Sequence, residues 1–269
     1  MPVRALVMAF QIDHLITVTT DREAARTALA EMGFELSSRG EHPGRGTSNH
    51  LMFFEQCYWE LLSVDEPGPA NSMLLGKSST LVACALRTRD AAGDAAAAAR
   101  LGAEPGPLES ITRPVRVGSE WHVARFTIAA LKVPAADVHL FFCQHLTPEL
   151  VWPRRKGEHP NGAFRVKALQ VVGTTRESAG NTLGPLLGAG GDGEPCIDYL
   201  SSAEYGARFD GSRPALAVER PRLASLTLQV RDLEACAGYL TRHRVPNRRS
   251  AEEIQVNSPI VGHPIAFAR

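Results

Sequence analysis

The chain has no net charge with which to attract a polyanion. Lys plus Arg and Asp plus Glu each total 29, so nothing in the balance favours nucleic acid as a partner. It also lacks paired cysteines. Cys57, Cys84, Cys143, Cys196 and Cys236 are odd in number, widely spaced and contain no C-x-x-C, which argues against a disulfide framework and against a structural zinc cluster. A reducing cytoplasm is the expected compartment. No apolar run approaches the roughly 20 residues of a membrane span, so no membrane partner is expected. The opening MPVRALVMAF has one Arg and a short apolar patch but no leader-like apolar core or cleavage site, and reads as a lead-in.

What the chain does have is length and repetition. Its 269 residues suit one large domain or two ordinary ones and can bury a sizeable core. Ile12, His14, Ile16 and Val18 alternate at period two, which predicts a strand with a histidine on an otherwise β-branched face. Thr20 and Asp21 then precede a helical pattern through Ala25, Leu29 and Met32, closed by Gly33. A loop rich in Gly, Pro and His follows, then two β-type runs, Asn49 to Glu55 and Cys57 to Val64. Tyr58, Glu60, Leu62 and Val64 share one face of the last run, which sets a single carboxylate among apolar neighbours.

This unit recurs. The same spacing separates Asp21 from Gly33 and Asp90 from Gly102, and that offset sets Ala83 in the place of His14. Matching YWELL to DVHLF sets His139 in the place of Glu60. Further strand-then-helix openings occur near VVGTTRE and RDLEACAGYL. The third unit is short, with strands expected at Cys196–Leu200 and Pro214–Val218, and the fourth ends in two expected strands. LTPELVWPRRKGEHPNGA breaks the periodicity with prolines and charges and is the best linker.

Four details, IDH at the first strand, GF after the helix, HPGRGTSNH from His42 to His50, and ELLSV from Glu60, resemble the glyoxalase-like branch of the vicinal oxygen chelate superfamily. The resemblance implies an α+β fold of paired βαβββ modules forming curved mixed sheets. Residues 10–146 would be the glyoxalase-like domain, 147–163 the linker, and 164–269 a second, degenerate pair of modules. Carried over position by position, it implies metal ligands His14, Glu60 and His139, with the fourth position falling on Ala83, which has no donor. Cys84 next door turns to the opposite face. Three ligands and an open position leave room for water or substrate, and two nitrogens with a carboxylate suit Zn, Fe, Ni or Mn.

The residues also carry their own weights. Glu60 is the expected catalytic group, because a carboxylate on an apolar face needs a cation, a donor or a role. Asn49 and His50 after the glycine-rich turn, and His122 on a face with Ala124 and Phe126, are expected to bind substrate. Asp13, Arg45 and Thr47 read as loop and strand-edge structure, and His42, His145, His159, His243 and His263 as surface or turn residues. In the second pair Ala168 and Ser225 replace His14, and IAFAR offers no carboxylate. The superfamily's extradiol dioxygenases keep their iron in the later modules, so a glyoxalase-type lyase or isomerase acting on vicinal substrate oxygens is the expected activity. The alternative is a protein that sequesters a small molecule, of the bleomycin-resistance type. A small-molecule substrate or ligand is the expected partner, with a homodimer as one role for the second half.

Overall fold

The computed structural model describes residues 10–74, 80–154, 156–191, 193–209 and 218–269, so most of the lead-in lies outside it. The first unit runs β1 (Ile12–Thr19), α1 (Arg22–Glu31), β2 (Gly40–His42), β3 (Thr47–Phe53) and β4 (Tyr58–Val64). Asp21 caps α1 by accepting from the Ala24 N–H at 2.9 Å, and Ala25 and Leu29 turn inward. Gly33 ends the turn at φ +85°, and a Cβ there would overlap Tyr239 and Asn161, so glycine is required twice over.

The second unit repeats the pattern with β5 (Thr80–Arg87), α2 (Ala91–Ala99), β6 (Glu104–Val117), β7 (Glu120–Lys132) and β8 (His139–His145). Asp90 caps α2 through the Gly93 N–H. The two units merge into one eight-stranded mixed sheet of order β2-β3-β4-β1-β5-β8-β7-β6. At its centre β1 and β5 run antiparallel, and each pairs in parallel with the last strand of its own unit.

A six-stranded sheet of order β10-β9-β11-β14-β13-β12 carries the second half. It is built from β9 (Ala163–Gly173), α3 (Arg176–Leu187), β10 (Cys196–Ser201), α4 (Ser202–Arg208), β11 (Arg222–Val230), α5 (Leu233–Arg242), β12 (Arg248–Arg249), β13 (Glu253–Asn257) and β14 (Pro264–Ala268). The third unit is short as expected. Its second expected strand, Pro214–Val218, lies outside the described residues apart from Val218. Among the described residues no helix is long and apolar enough to cross a membrane.

Leu15, Trp59 and Leu61 from the first sheet share one core with Leu169, Leu226 and Phe267 from the second. Each fully buried leucine contributes about 1.5–3 kcal/mol, so the apolar backs of both sheets drive this pairing. Three polar groups trapped between them are joined in one chain. Trp59 Nε1 donates to Thr17 Oγ1 at 2.9 Å, and the same hydroxyl meets His263 Nε2 at 2.8 Å. His263 is therefore a core residue rather than a surface one, because the back of the first sheet needs this cover. His159 is buried too, against Phe34 and Phe54, and its Nδ1 accepts from the Glu35 N–H at 3.1 Å. The segment expected as a linker is thus packed against the first unit, with Asn161 Nδ2 donating to the Met32 carbonyl.

The other faces of the two sheets differ. On the second, α4 lies across the strands, with Tyr205 and Phe209 packed on Val172, Ala224 and Ala266. Arg208 beneath it donates to Thr227 and pairs with Asp198 and Glu253. There α4 and its side chains cover the middle of the face. The first sheet keeps its concave face open.

Candidate active site

The open face of the first sheet encloses a cavity of about 540 Å³. Strand alternation decides what lines it. Tyr58, Glu60 and Leu62 of β4 and Thr47, Asn49 and Leu51 of β3 face inward, and His14 and Ile16 come from β1. His50, one residue out of phase with Asn49, does not line the cavity. Its Nδ1 donates to the Ser37 carbonyl at 2.8 Å.

His14 and Glu60 meet in the cavity wall. His14 Nε2 lies 3.6 Å from Glu60 Oε2, and Asn49 Nδ2 donates to Glu60 Oε1 at 2.7 Å. Arg113 Nη1 from β6 donates to Asn49 Oδ1 at 3.3 Å. The Tyr58 ring stacks on His14, with centroids 4.4 Å apart and planes 9° from parallel. Burial, with Asp13 nearby, pushes the Tyr58 hydroxyl well above its ordinary pKa, so it remains a neutral phenol. Burial lowers the pKa of His42 beside Asn49, against the opposing charge of Glu60.

Behind His14 stands Asp13, which is 1% exposed. Its Oδ2 lies 2.8 Å from His14 Nδ1 and 2.9 Å from His145 Nε2, and Arg87 Nε approaches Oδ1 at 3.4 Å. Burial alone would raise the Asp13 pKa. The hydrogen bonds and charges of His14 and His145 outweigh it and hold the carboxyl far below its usual range. This corrects two expectations: Asp13 is not strand-edge structure, and His145 is not a surface residue. The β1–β5 register shifts between Ile12 and His14, so strict alternation does not govern Asp13, and its second partner lies 132 residues away. The IDH motif was the only local signal. Trp152 and Val151 seal this end by packing on Tyr58.

His139 and His122 stand elsewhere. β1 pairs His14 with Ala85 and Ile16 with Ala83, an exchange that makes Ala83 the twofold equivalent of His14 and Ala85 that of Ile16. Glu60 pairs with Ile16, and the residue paired with Ala85 on β8 is Phe141. His139 pairs with Ala83, so it occupies the place of Tyr58, although it lines the same cavity. His122 sits near the tip of the β6–β7 hairpin, half-exposed beside Glu120 and outside the cavity lining.

The metal implied by the resemblance can be tested on these donors. Among the described residues the one set of three or more candidate ligand side chains with atoms within 4.8 Å of one another is Asp13, His14, Cys143 and His145. This buried cluster is spaced to hold an ion. Its donor chemistry fits a hydrogen-bonded triad better, because Asp13 Oδ2 already takes two imidazole N–H groups and burial keeps the Cys143 thiol protonated. Neither Glu60 nor His139 belongs to the set. On the cavity side, His14 and Glu60 face Ala83 and Phe141 instead of a second pair of donors. Two protein ligands fall short of the three that open metal sites use, so the residues present do not complete the implied site.

A family model described as a glyoxalase-like domain matches residues 12–187. The chain belongs to this family, within the vicinal oxygen chelate superfamily. The glyoxalase-like match covers the whole eight-stranded sheet and reaches through α3. A hypothetical protein from Staphylococcus aureus is similar in fold, with a TM-score of 0.63 at 13% identity, covering 95% of this chain and 98% of its own. A variant of 4-hydroxymandelate synthase from Streptomyces coelicolor matches with a TM-score of 0.57 at 14% identity, over 97% of this chain and 93% of that one. A fusion of a xylose isomerase-like TIM barrel with 4-hydroxyphenylpyruvate dioxygenase matches at 0.56 and 12% identity, over 97% of this chain and 49% of that protein. At these identities the likeness is one of fold. No curated protein matches the chain.

Proposed function

We propose that this glyoxalase-like protein is an enzyme, a lyase or isomerase that moves a proton on a small molecule held in the cavity, at a carbon beside vicinal oxygens. The observation that carries the reading is the 3.6 Å approach of His14 Nε2 to Glu60 Oε2. With Asp13 holding the proton on Nδ1, a bare Nε2 would turn its lone pair on a carboxylate. Two acceptors this close repel unless a proton lies between them, so His14 and Glu60 share one proton and form the acid–base pair of the site, with His14 as its donor and Glu60 as its base.

Asn49 fixes one oxygen of Glu60 and leaves Oε2 for the substrate. Glu60 Oε2 takes the proton from the carbon, and the C–H electron pair becomes the C=C bond of an enolate. His14 Nε2 donates to the oxygen on which charge develops, and Asp13 holds the ring from behind by accepting from Nδ1. Returning the proton to the former carbonyl carbon while the substrate hydroxyl gives up its own proton to His14, forming the new C=O, completes an isomerisation; re-forming the original C=O and expelling a group from the carbon on the far side of the deprotonated one completes a lyase reaction. General acid–base catalysis of this kind contributes about 10²- to 10⁴-fold. No step runs through a metal ion, because the donors on the cavity side, His14 and Glu60, fall short of a site.

The test is incorporation of solvent deuterium at the carbon beside the carbonyl, followed by NMR across a panel of 2-hydroxy ketones and 2-hydroxy carboxylic acids and amides. The wild-type protein should catalyse exchange on at least one compound, and Glu60→Gln should slow it by about 10²-fold or more while binding persists. Exchange that survives Glu60→Gln removes the base from the scheme. Tight binding with no exchange on any compound favours sequestration instead.

A further inference from the structure

We infer that the molecule bound in this cavity carries a carboxylate, and that Arg113 receives it. The inference rests on the cavity being the substrate site proposed above. Arg113 is 8% exposed, lines the cavity, and has Asn49 Oδ1 as its hydrogen-bond partner. Among the described residues no carboxylate lies within 4.0 Å of its guanidinium. A buried charge with no counter-ion is costly to keep, and a guanidinium presents five donors, of which one is used here. Among the described residues the other cavity cations are already matched. Arg45 pairs with Glu109 and Lys132 with Glu104, both nearer the solvent, and burial holds His42 toward its neutral form.

The position of Arg113 is prepared by its neighbours. A Cβ on Gly40 would overlap both Asn49 Oδ1 and Arg113 Nη1, so the glycine leaves the room in which the two side chains meet. Asn49 then joins the cation to the reaction centre, since its oxygen accepts from Arg113 and its nitrogen donates to Glu60. A ligand anchored on Arg113 lies one amide group from the base. A single unmatched guanidinium offsets one negative charge, and its planar fork fits the two oxygens of a carboxylate. A phosphate dianion would need a second unmatched cation, and the described residues of the cavity offer none.

The experiment measures binding rather than turnover. Titration calorimetry on the full chain would compare 2-hydroxycarboxylates, from lactate to 3-phenyllactate, with the matching neutral amides. The carboxylates should bind about 10- to 100-fold more tightly than their amides, the value of a charge-assisted hydrogen-bonded pair. In Arg113→Met the preference should disappear, and in Arg113→Lys it should be partly kept. Met removes an unpaired buried charge, so a folded variant is expected, and the wild-type preference tests the inference without any variant. Equal affinity for acid and amide overturns the inference and leaves the deuterium-exchange result untouched. A carboxylate preference that survives Arg113→Met also overturns it. Acids that bind through Arg113 but never exchange would instead sink the proton-transfer reading and leave this one standing.

Discussion

Replacing Asp13 by Asn should cost this protein a large share of its stability. The carboxylate is 1% exposed and accepts from two imidazoles at 2.8 and 2.9 Å, with Arg87 alongside. Asn keeps the shape and one acceptor oxygen. Both rings donate to the same oxygen, so an Asn that keeps that acceptor turns its NH2 toward Arg87, and it removes the charge that both rings and Arg87 face. Breaking a buried charged pair from one side costs about 3–5 kcal/mol. For a chain of this size each kcal/mol is worth about 2–4 °C in Tm, which gives a fall of about 6–20 °C. The pH dependence follows from the direction of the shift. The folded Asp13 carboxyl titrates far below its unfolded value of about 3.9, so its contribution is fully present above that value and is lost only as pH falls toward the folded one. The gap between wild type and Asp13→Asn should therefore hold from pH 7 to pH 5 and close in strong acid. Scanning calorimetry at several pH values measures it. A fall of less than about 2 °C at pH 7 would refute the idea that this carboxylate holds the two histidines together.

Two further outcomes are expected. Burial lowers the His159 pKa to about 4, against about 6.5 unfolded, so its neutral form contributes about 3 kcal/mol above pH 6.5, lost as pH falls from there toward 4; urea midpoints should fall over that window in the wild type and less steeply in His159→Gln, and parallel profiles would contradict this. Ala83→His restores a donor at the twofold mate of His14, and calorimetry should show Zn²⁺ binding at least about tenfold tighter than wild type, since three donors make an open site where two do not; unchanged affinity would mean that the missing donor is not what limits metal binding.

Much of this protein was legible in its sequence, because the relevant physics is local. An Asp cap and a closing Gly mark both α1 and α2, and each cap bond spans three residues. Period-two alternation was enough to put Glu60 with Tyr58 and Leu62, turn Cys84 into the core, and bring His14 and Glu60 to one concave face once the unit folds. The same rule separates Asn49 from His50, which the sequence treated alike. What only the tertiary structure decided depends on pairing between distant segments. The β5–β8 register, and not the likeness of DVHLF to YWELL, puts Phe141 where a second carboxylate would stand. A register irregularity joins Asp13 to His145 and makes His14 part of a triad. Arg113 reaches Asn49 across 64 residues because β6 folds back against the loop strand β2. Registers and close approaches of this kind are set by the packing of the whole sheet, and no window of sequence shorter than the sheet contains them.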